Sequence, residues 1–306
     1  MTWTEWSLRD RCDDGWSHTA VDTLADGTLV TFHPKDAALL FFDAEDGTLL
    51  RTAPCDAREG HDVVVDGASI WLADCGNKLS LSRSRKVYVD PPNEETVGQV
   101  LRVALDGTTQ RRIGPWHDGP FLPTGVAVDE RGVWVADGYG SNRVDLVADD
   151  DSILVTIDDI DQPHGVLVDT RGDEPLLYVT ERRKSRINVY DLDGSFVRHE
   201  GEGDLLAPSS MCVRDGELWI ADLYGRVTVL DEAGALVRHV GELVDRQDGW
   251  PNLAGDDGAT LPPPLHDGTF NSPHGITTLA GGDVVVTEWL LGGRWVRYSP
   301  TTSKAR

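Results

Sequence analysis

Gly60-His61-Asp62-Val63-Val64-Val65-Asp66 is a phrase that this chain repeats. It returns as Pro123-Thr124-Gly125-Val126-Ala127-Val128-Asp129, as Pro163-His164-Gly165-Val166-Leu167-Val168-Asp169, as Pro208-Ser209-Ser210-Met211-Cys212-Val213 and as Pro273-His274-Gly275-Ile276. A weaker copy runs Ala20-Val21-Asp22-Thr23-Leu24. The anchors fall at residues 20, 61, 124, 164, 209 and 274, spaced by 41, 63, 40, 45 and 65. Each apolar run is short, leads through a turn, and is followed by a second strand of the Trp71-Leu72-Ala73-Asp74 kind. Repeats of this length, rich in short strands, predict four-stranded sheets arranged radially. The fold class expected is therefore all-β, a six-bladed β-propeller filling residues 1–306 as one domain.

Histidine occupies the anchor in units two, four and six. Six units around an axis stand roughly 60° apart, so alternate units stand roughly 120° apart. His61, His164 and His274 are thus expected to converge on the axis. Three neutral imidazoles with an open fourth position form the ligand set of a catalytic zinc site. His18, His33, His117, His199 and His266 do not share this frame, although His266 lies in an insertion that faces the same way.

Composition excludes several partners. The chain carries 28 basic and 52 acidic residues, a net charge of −24. Nucleic acid needs phosphate-neutralising Lys and Arg, and anionic membrane surfaces need the same. No nucleic acid and no membrane partner is expected; the expected partner is a small-molecule substrate. No apolar run reaches the length of a membrane span. Met1-Thr2-Trp3-Thr4-Glu5-Trp6 lacks the basic and apolar regions of a secretory signal. Cys12, Cys55, Cys75 and Cys212 show no CxxC spacing, which points to free thiols and a cytoplasmic setting. Trp71, Trp134 and Trp219 recur at one repeat position and are expected to pack.

Strand spans follow from the repeat. Unit three, for instance, is expected as Gly125–Val128, Val133–Ala136, Arg143–Leu146 and Ser152–Ile157. Asp-Gly pairs such as Asp26-Gly27 and Asp193-Gly194 read as hairpin turns. Unit six is one strand short, so Thr2–Leu8 is expected to close the ring and pair the open edges. Antiparallel neighbours put the start of strand one and the end of strand two on the same face. Lys35, Cys75, Tyr139, Arg182, Tyr224 and Trp289 therefore share the histidine face. So do two insertions, 77–98 and 243–272, which read as lids. Asp74, Asp137 and Asp222 end second strands in one frame and read as turn residues that tie backbone.

With these residues in place, a resemblance emerges. Leu122-Pro123-Thr124-Gly125-Val126-Ala127-Val128-Asp129, continuing to Asp137-Gly138-Tyr139-Gly140, resembles the NHL-repeat propellers and, more closely, the peptidyl-α-hydroxyglycine α-amidating lyases. The resemblance covers nearly the whole chain. It implies zinc on His61, His164 and His274, Tyr139 as catalytic base, and Arg182 in the same pocket holding a substrate carboxylate. A metal and an arginine would bring the phenol from its usual value near 10 toward working pH. Lys35, Tyr224 and Trp289 are expected as substrate-binding wall residues. The chain departs from the family twice. Pro34 follows Phe32-His33 where the family has a second arginine, and Gly275 stands where an aspartate holds structural calcium, so Ca2+ is not expected there.

The implied activity is a zinc-dependent lyase that cleaves an α-hydroxyglycine-like carbinolamide into an amide and a glyoxylate-type aldehyde. Two alternatives stand beside it. One is a metal-dependent propeller hydrolase or lactonase acting on a small molecule. The other is a non-catalytic NHL scaffold that binds a protein on one face.

Overall fold

The computed structural model describes residues 2–7, 15–76, 79–82, 85–88, 97–256 and 259–300. Six four-stranded antiparallel sheets are arranged as blades in a ring. Their first strands are Val21–Thr23, Gly60–Asp66, Gly125–Asp129, Pro163–Asp169, Pro208–Arg214 and Pro273–Thr278, for blades 1 to 6. Each of these six neighbours the next, and the sixth returns to the first, so the ring is closed. Among the described residues there is no α-helix, and none is long and apolar enough to cross a membrane. A single 3-10 turn covers Arg182–Lys184.

Strands appear where the repeat placed them. Blade 3 comprises Gly125–Asp129, Gly132–Ala136, Val144–Ala148 and Ile153–Ile157, within one residue of expectation at all but one boundary. Second strands are buried on both faces because blades cover them on either side; Ser69–Asp74 is buried along its whole length. The recurring aromatic on this strand fills the space between blades. Trp71, Trp134, Tyr178 and Trp219 are all buried. Arginines cap them: Arg131 lies 5.6 Å from the Trp134 ring, Arg238 4.9 Å from Trp219, and Arg171 5.7 Å from Tyr178. Burying one such side chain stabilises by roughly 1.5–3 kcal/mol, and the cation above the ring adds roughly 0.5–2 kcal/mol.

Blade 6 is completed from the other end of the sequence. Thr2–Ser7 pairs antiparallel with Arg294–Ser299, from Thr2 opposite Ser299 to Ser7 opposite Arg294. Leu8 lies outside the described residues. Arg294 is buried, bonds the exposed Glu5 of the closing strand at 2.8 Å and pairs with the buried Glu288 at 3.3 Å, which ties the closing strand to blade 6. Cys55, Cys75 and Cys212 are free thiols, as the spacing implied; Cys12 lies outside the described residues.

The first strands line an axial channel of about 680 Å3. Val63, Val126, Val166 and Ile276 line it together with polar groups, Asp22 and Asp62 among them. The anchor histidines lie where these strands begin, and none of them lines this cavity.

Candidate functional site

The site is built on backbone irregularities. In blade 2 the pairing of the first two strands slips between Gly60 and Asp62, leaving His61 as the extra residue. The same slip falls at His164 in blade 4, Ser209 in blade 5 and His274 in blade 6. A bulge swings its residue off the pleat and re-aims the side chain. Here it turns the anchor residue toward the site. In blades 2 to 6 a carboxylate at the end of the second strand then fixes the loop ahead of the first strand. Asp74 accepts from the N–H groups of Arg58 and Glu59 at 2.8 and 2.9 Å. Asp137 accepts from Leu122 N–H at 2.6 Å, and Asp222 from Ala207 N–H at 2.6 Å. Glu181 and Glu288 do this work in blades 4 and 6, accepting from Asp161 and Ser272 at 2.8 and 3.0 Å. The frame of acids is thus structural, as its repetition suggested.

Alternation of histidine has a packing reason. His61 Nδ1 lies 2.6 Å from the Thr124 carbonyl oxygen, and His164 Nδ1 lies 2.8 Å from that of Ser209. Each acceptor is the anchor residue of the next blade. A carbonyl can only accept, so Nδ1 carries the proton and Nε2 presents a lone pair. Glycine follows His164 and His274 because neighbouring first strands nearly touch there. A Cβ on Gly165 would lie 2.5 Å from the Ser209 carbonyl oxygen, and one on Gly275 would lie 2.4 Å from Ala20 Cα. Position 275 is closed to any side chain, which rules out an aspartate ligand there.

The three expected histidines do converge, and a fourth joins them. Ring centroids of His61 and His164 are 4.6 Å apart, those of His61 and His274 4.7 Å, and those of His164 and His274 5.2 Å. His18 lies 4.5 Å from His61 and 4.7 Å from His274. All four are buried. The mutually close ligand atoms belong to His18, His61 and His274, within 4.8 Å of one another, and this group can hold a metal ion. His164 turns its Nε2 to the Tyr139 hydroxyl at 3.1 Å. The repeat therefore located two members of the close trio, and placed His164 beside it in a different contact.

His18 escaped the repeat because it is out of frame. Val21 pairs with Thr31 as Gly275 pairs with Thr287, so Ala20 occupies the histidine position of blade 1. The imidazole comes from two residues upstream. Its Nδ1 lies 3.4 Å from Glu59 Oε1, another residue the sequence did not single out. A histidine immediately before the degenerate first copy was the available signal.

Tyr139 sits among these rings, 5.2 Å from His61 and 5.6 Å from His164 by centroid. Its hydroxyl takes a hydrogen bond from Arg182 Nη1 at 3.1 Å, and it stands 3.4 Å from His18 Nε2. Burial pushes the phenol up to about 12, outweighing the opposing effect of Arg182. Burial thus opposes the lowering expected from a metal and the arginine together. Burial, then the Arg182 cation, holds His164 well below the ordinary imidazole value, so it is neutral and its Nε2 accepts. Arg182 leaves the second strand of blade 4 in the 3-10 turn, and its Nη2 donates to Ser209 Oγ at 2.6 Å. Its buried Nε–H has no partner among the described residues.

The expected wall residues differ in placement. Trp289 lies 5.6 Å from His18 by ring centroid. Tyr224 packs edge-on against Trp250 at 5.3 Å, with the Arg246 guanidinium 4.4 Å from its ring. Lys35 is exposed on the turn of blade 1, its backbone N–H donating to His33 Nδ1 at 3.1 Å. Cys75 is buried with its thiol 3.6 Å from the Glu59 carbonyl oxygen, in keeping with a packing role. His266 is exposed. Of the two insertions, 243–272 carries Trp250, whose indole donates to the Asn271 carbonyl at 3.0 Å. Much of 77–98 lies outside the described residues.

Donor chemistry suits a metal. Imidazole nitrogens are the usual ligands of zinc, and bond lengths of about 2.0–2.1 Å set ligand nitrogens roughly 3.4 Å apart in a tetrahedron. The ligand atoms of the group lie within 4.8 Å of one another. Nδ1–H bonding to a carbonyl, as at His61, is the arrangement that orients a ligating histidine.

The sequence matches no protein-family model and no curated protein. Solved structures with the same fold are numerous. A streptogramin B lyase superposes with a TM-score of 0.61 at 15% identity, covering 97% of this chain and 98% of that one. A gluconolactonase from Xanthomonas campestris gives 0.62 at 18%, covering 97% and 89%. The WD40 propeller domain of Doa1 gives 0.58 at 12%, covering 94% and 80%. At these identities the likeness shows the six-bladed propeller fold alone.

Proposed function

We propose that this chain is a metal-dependent lyase that breaks the C–N bond of an α-hydroxyglycine-like carbinolamide, releasing an amide and a glyoxylate-type aldehyde. One observation carries the reading. A histidine group able to hold a metal meets, in one cluster, a buried tyrosine bonded to both an arginine and a neutral histidine. The motif resemblance to amidating lyases supports it, and one fold neighbour is titled a lyase.

His18, His61 and His274 would hold the ion, with zinc the best match to an all-imidazole set. Bound there, the metal supplies Lewis acidity toward a substrate oxygen. Arg182 uses its unpartnered Nε–H and remaining fork donors to grip the substrate carboxylate. Tyr139 donates its O–H to His164 Nε2 and accepts from Arg182, so its other lone pair can receive a proton. The carbinol O–H proton passes to the Tyr139 oxygen while the phenol proton moves to His164. The electron pair left on oxygen forms the C=O bond as the C–N bond breaks. The departing amide nitrogen takes the proton back through the same pair.

The test is direct. Purified protein is expected to carry stoichiometric metal and to release glyoxylate from α-hydroxyhippurate. Metal without glyoxylate keeps the centre and rejects the substrate. Opening of gluconolactone instead of glyoxylate release selects the hydrolase reading, for which the gluconolactonase fold neighbour speaks. Absence of metal together with binding of a protein partner that survives His61→Ala and His274→Ala selects the scaffold reading.

A further inference from the structure

We infer that an aromatic shelf beside the histidine group is a binding subsite for a planar aromatic part of the substrate, so that aroyl carbinolamides are preferred over small aliphatic ones. The inference rests on the functional reading above. Four rings form the shelf. Trp289, next to His18, is stacked on Trp16 at 5.5 Å with 24° between planes. Trp250 meets Trp289 edge-on at 6.0 Å, and Tyr224 meets Trp250 at 5.3 Å.

These rings differ from the other recurring tryptophans. Trp71, Trp134 and Trp219 are buried between blades. Trp289 and Trp250 are only half-buried, and Tyr224 is 38% exposed. The shelf is nonetheless held in place before any ligand arrives. Trp16 forms a backbone bridge to Leu291. The Trp250 indole is fixed on the Asn271 carbonyl, and the buried Asn271 side chain donates to the Pro251 carbonyl at 2.7 Å. Prearranged aromatic surface that stays partly open offers stacking at little ordering cost.

Position supplies the substrate class. Arg182 stands on the blade 4 side of Tyr139, and Trp289 stands on the blade 6 side of His18, whose ring lies 6.0 Å from that of Tyr139. A carboxylate at Arg182 with the reacting carbon over the histidines directs the acyl group toward Trp289. A flat acyl group there continues the stack.

The experiment titrates metal-loaded, full-length protein with hippurate and with N-acetylglycine, reading tryptophan fluorescence and heat. Hippurate is expected to bind at least about tenfold more tightly, close to 1.4 kcal/mol. Trp289→Ala and Trp250→Ala are each expected to shrink that preference to about threefold or less while N-acetylglycine binding holds. Should Trp289→Ala fail to fold, Trp250→Ala reads the same contrast. Equal binding of the two ligands, binding of neither, or a preference that survives both substitutions overturns the inference. The two readings fail separately. A benzoyl preference without glyoxylate release sustains the subsite and sinks the lyase. Equal KM for α-hydroxyhippurate and N-acetyl-α-hydroxyglycine sinks the subsite and sustains the lyase.

Discussion

Two groups of polar side chains near the ring axis, one where the first strands begin and one in the cavity they line, do opposite things. Where the strands begin, His18, His61 and His274 aim ligand atoms at one another. In the cavity, Asp22 and Asp62 aim theirs at the blades. Asp22 accepts from Val65 N–H at 2.7 Å in blade 2 and from the Thr277 hydroxyl at 3.1 Å in blade 6. Asp62 accepts from Val126 N–H at 2.9 Å in blade 3. Burial pushes both carboxyl groups up, Asp62 to about 7, against the pull of those hydrogen bonds. One group brings ligand atoms close to one another; the other consumes its groups in stitching blades. Polarity near the axis is thus no guide to function until its partners are counted.

This contrast breaks first at the histidines. His61→Ala or His274→Ala is expected to weaken metal binding at least about 100-fold and remove glyoxylate formation, read by metal analysis of the folded variants. His18→Ala and His164→Ala sharpen the point. The first is expected to cost far more metal affinity than the second, because the His164 lone pair serves Tyr139. The reverse order would restore the alternate-blade trio that the repeat suggested. Next in size is Tyr139→Phe, expected to lower kcat by about 10²–10⁴-fold with metal content unchanged. Smallest is Asp22→Asn, which puts an amide against backbone N–H donors. It is expected to cost about 1–3 kcal/mol of stability, seen as a lower Tm, with metal affinity intact. Loss of metal in that variant would erase the distinction between the two groups.

The ring was legible because its period is stamped six times, and each copy carries its own turn residues and buried strand. His61, His164 and His274 were legible for the same reason, since a bulge at a fixed frame places each one. What remained hidden obeys no frame. His18 reaches the centre from two residues ahead of its own blade's anchor, and Glu59 joins it from the loop before the blade 2 bulge. Trp250 arrives on an insertion, whose path no periodicity describes. The state of Tyr139 was hidden too. Its environment sums burial with nearby groups, Arg182 first among them and Cys75 and Glu59 against it, and the sequence names Arg182 but not the depth.

The closing strand has a consequence for how the molecule is made. Glu5 and Arg294 meet although 289 positions separate them, and Trp3 packs 4.7 Å from Phe270. The circle can therefore shut only after the strand Arg294–Ser299 has been made. Until it shuts, that strand and its waiting partner are open edges, ready to pair with another copy. Folding of this ring is a race between self-closure and strand exchange, opened when that strand emerges.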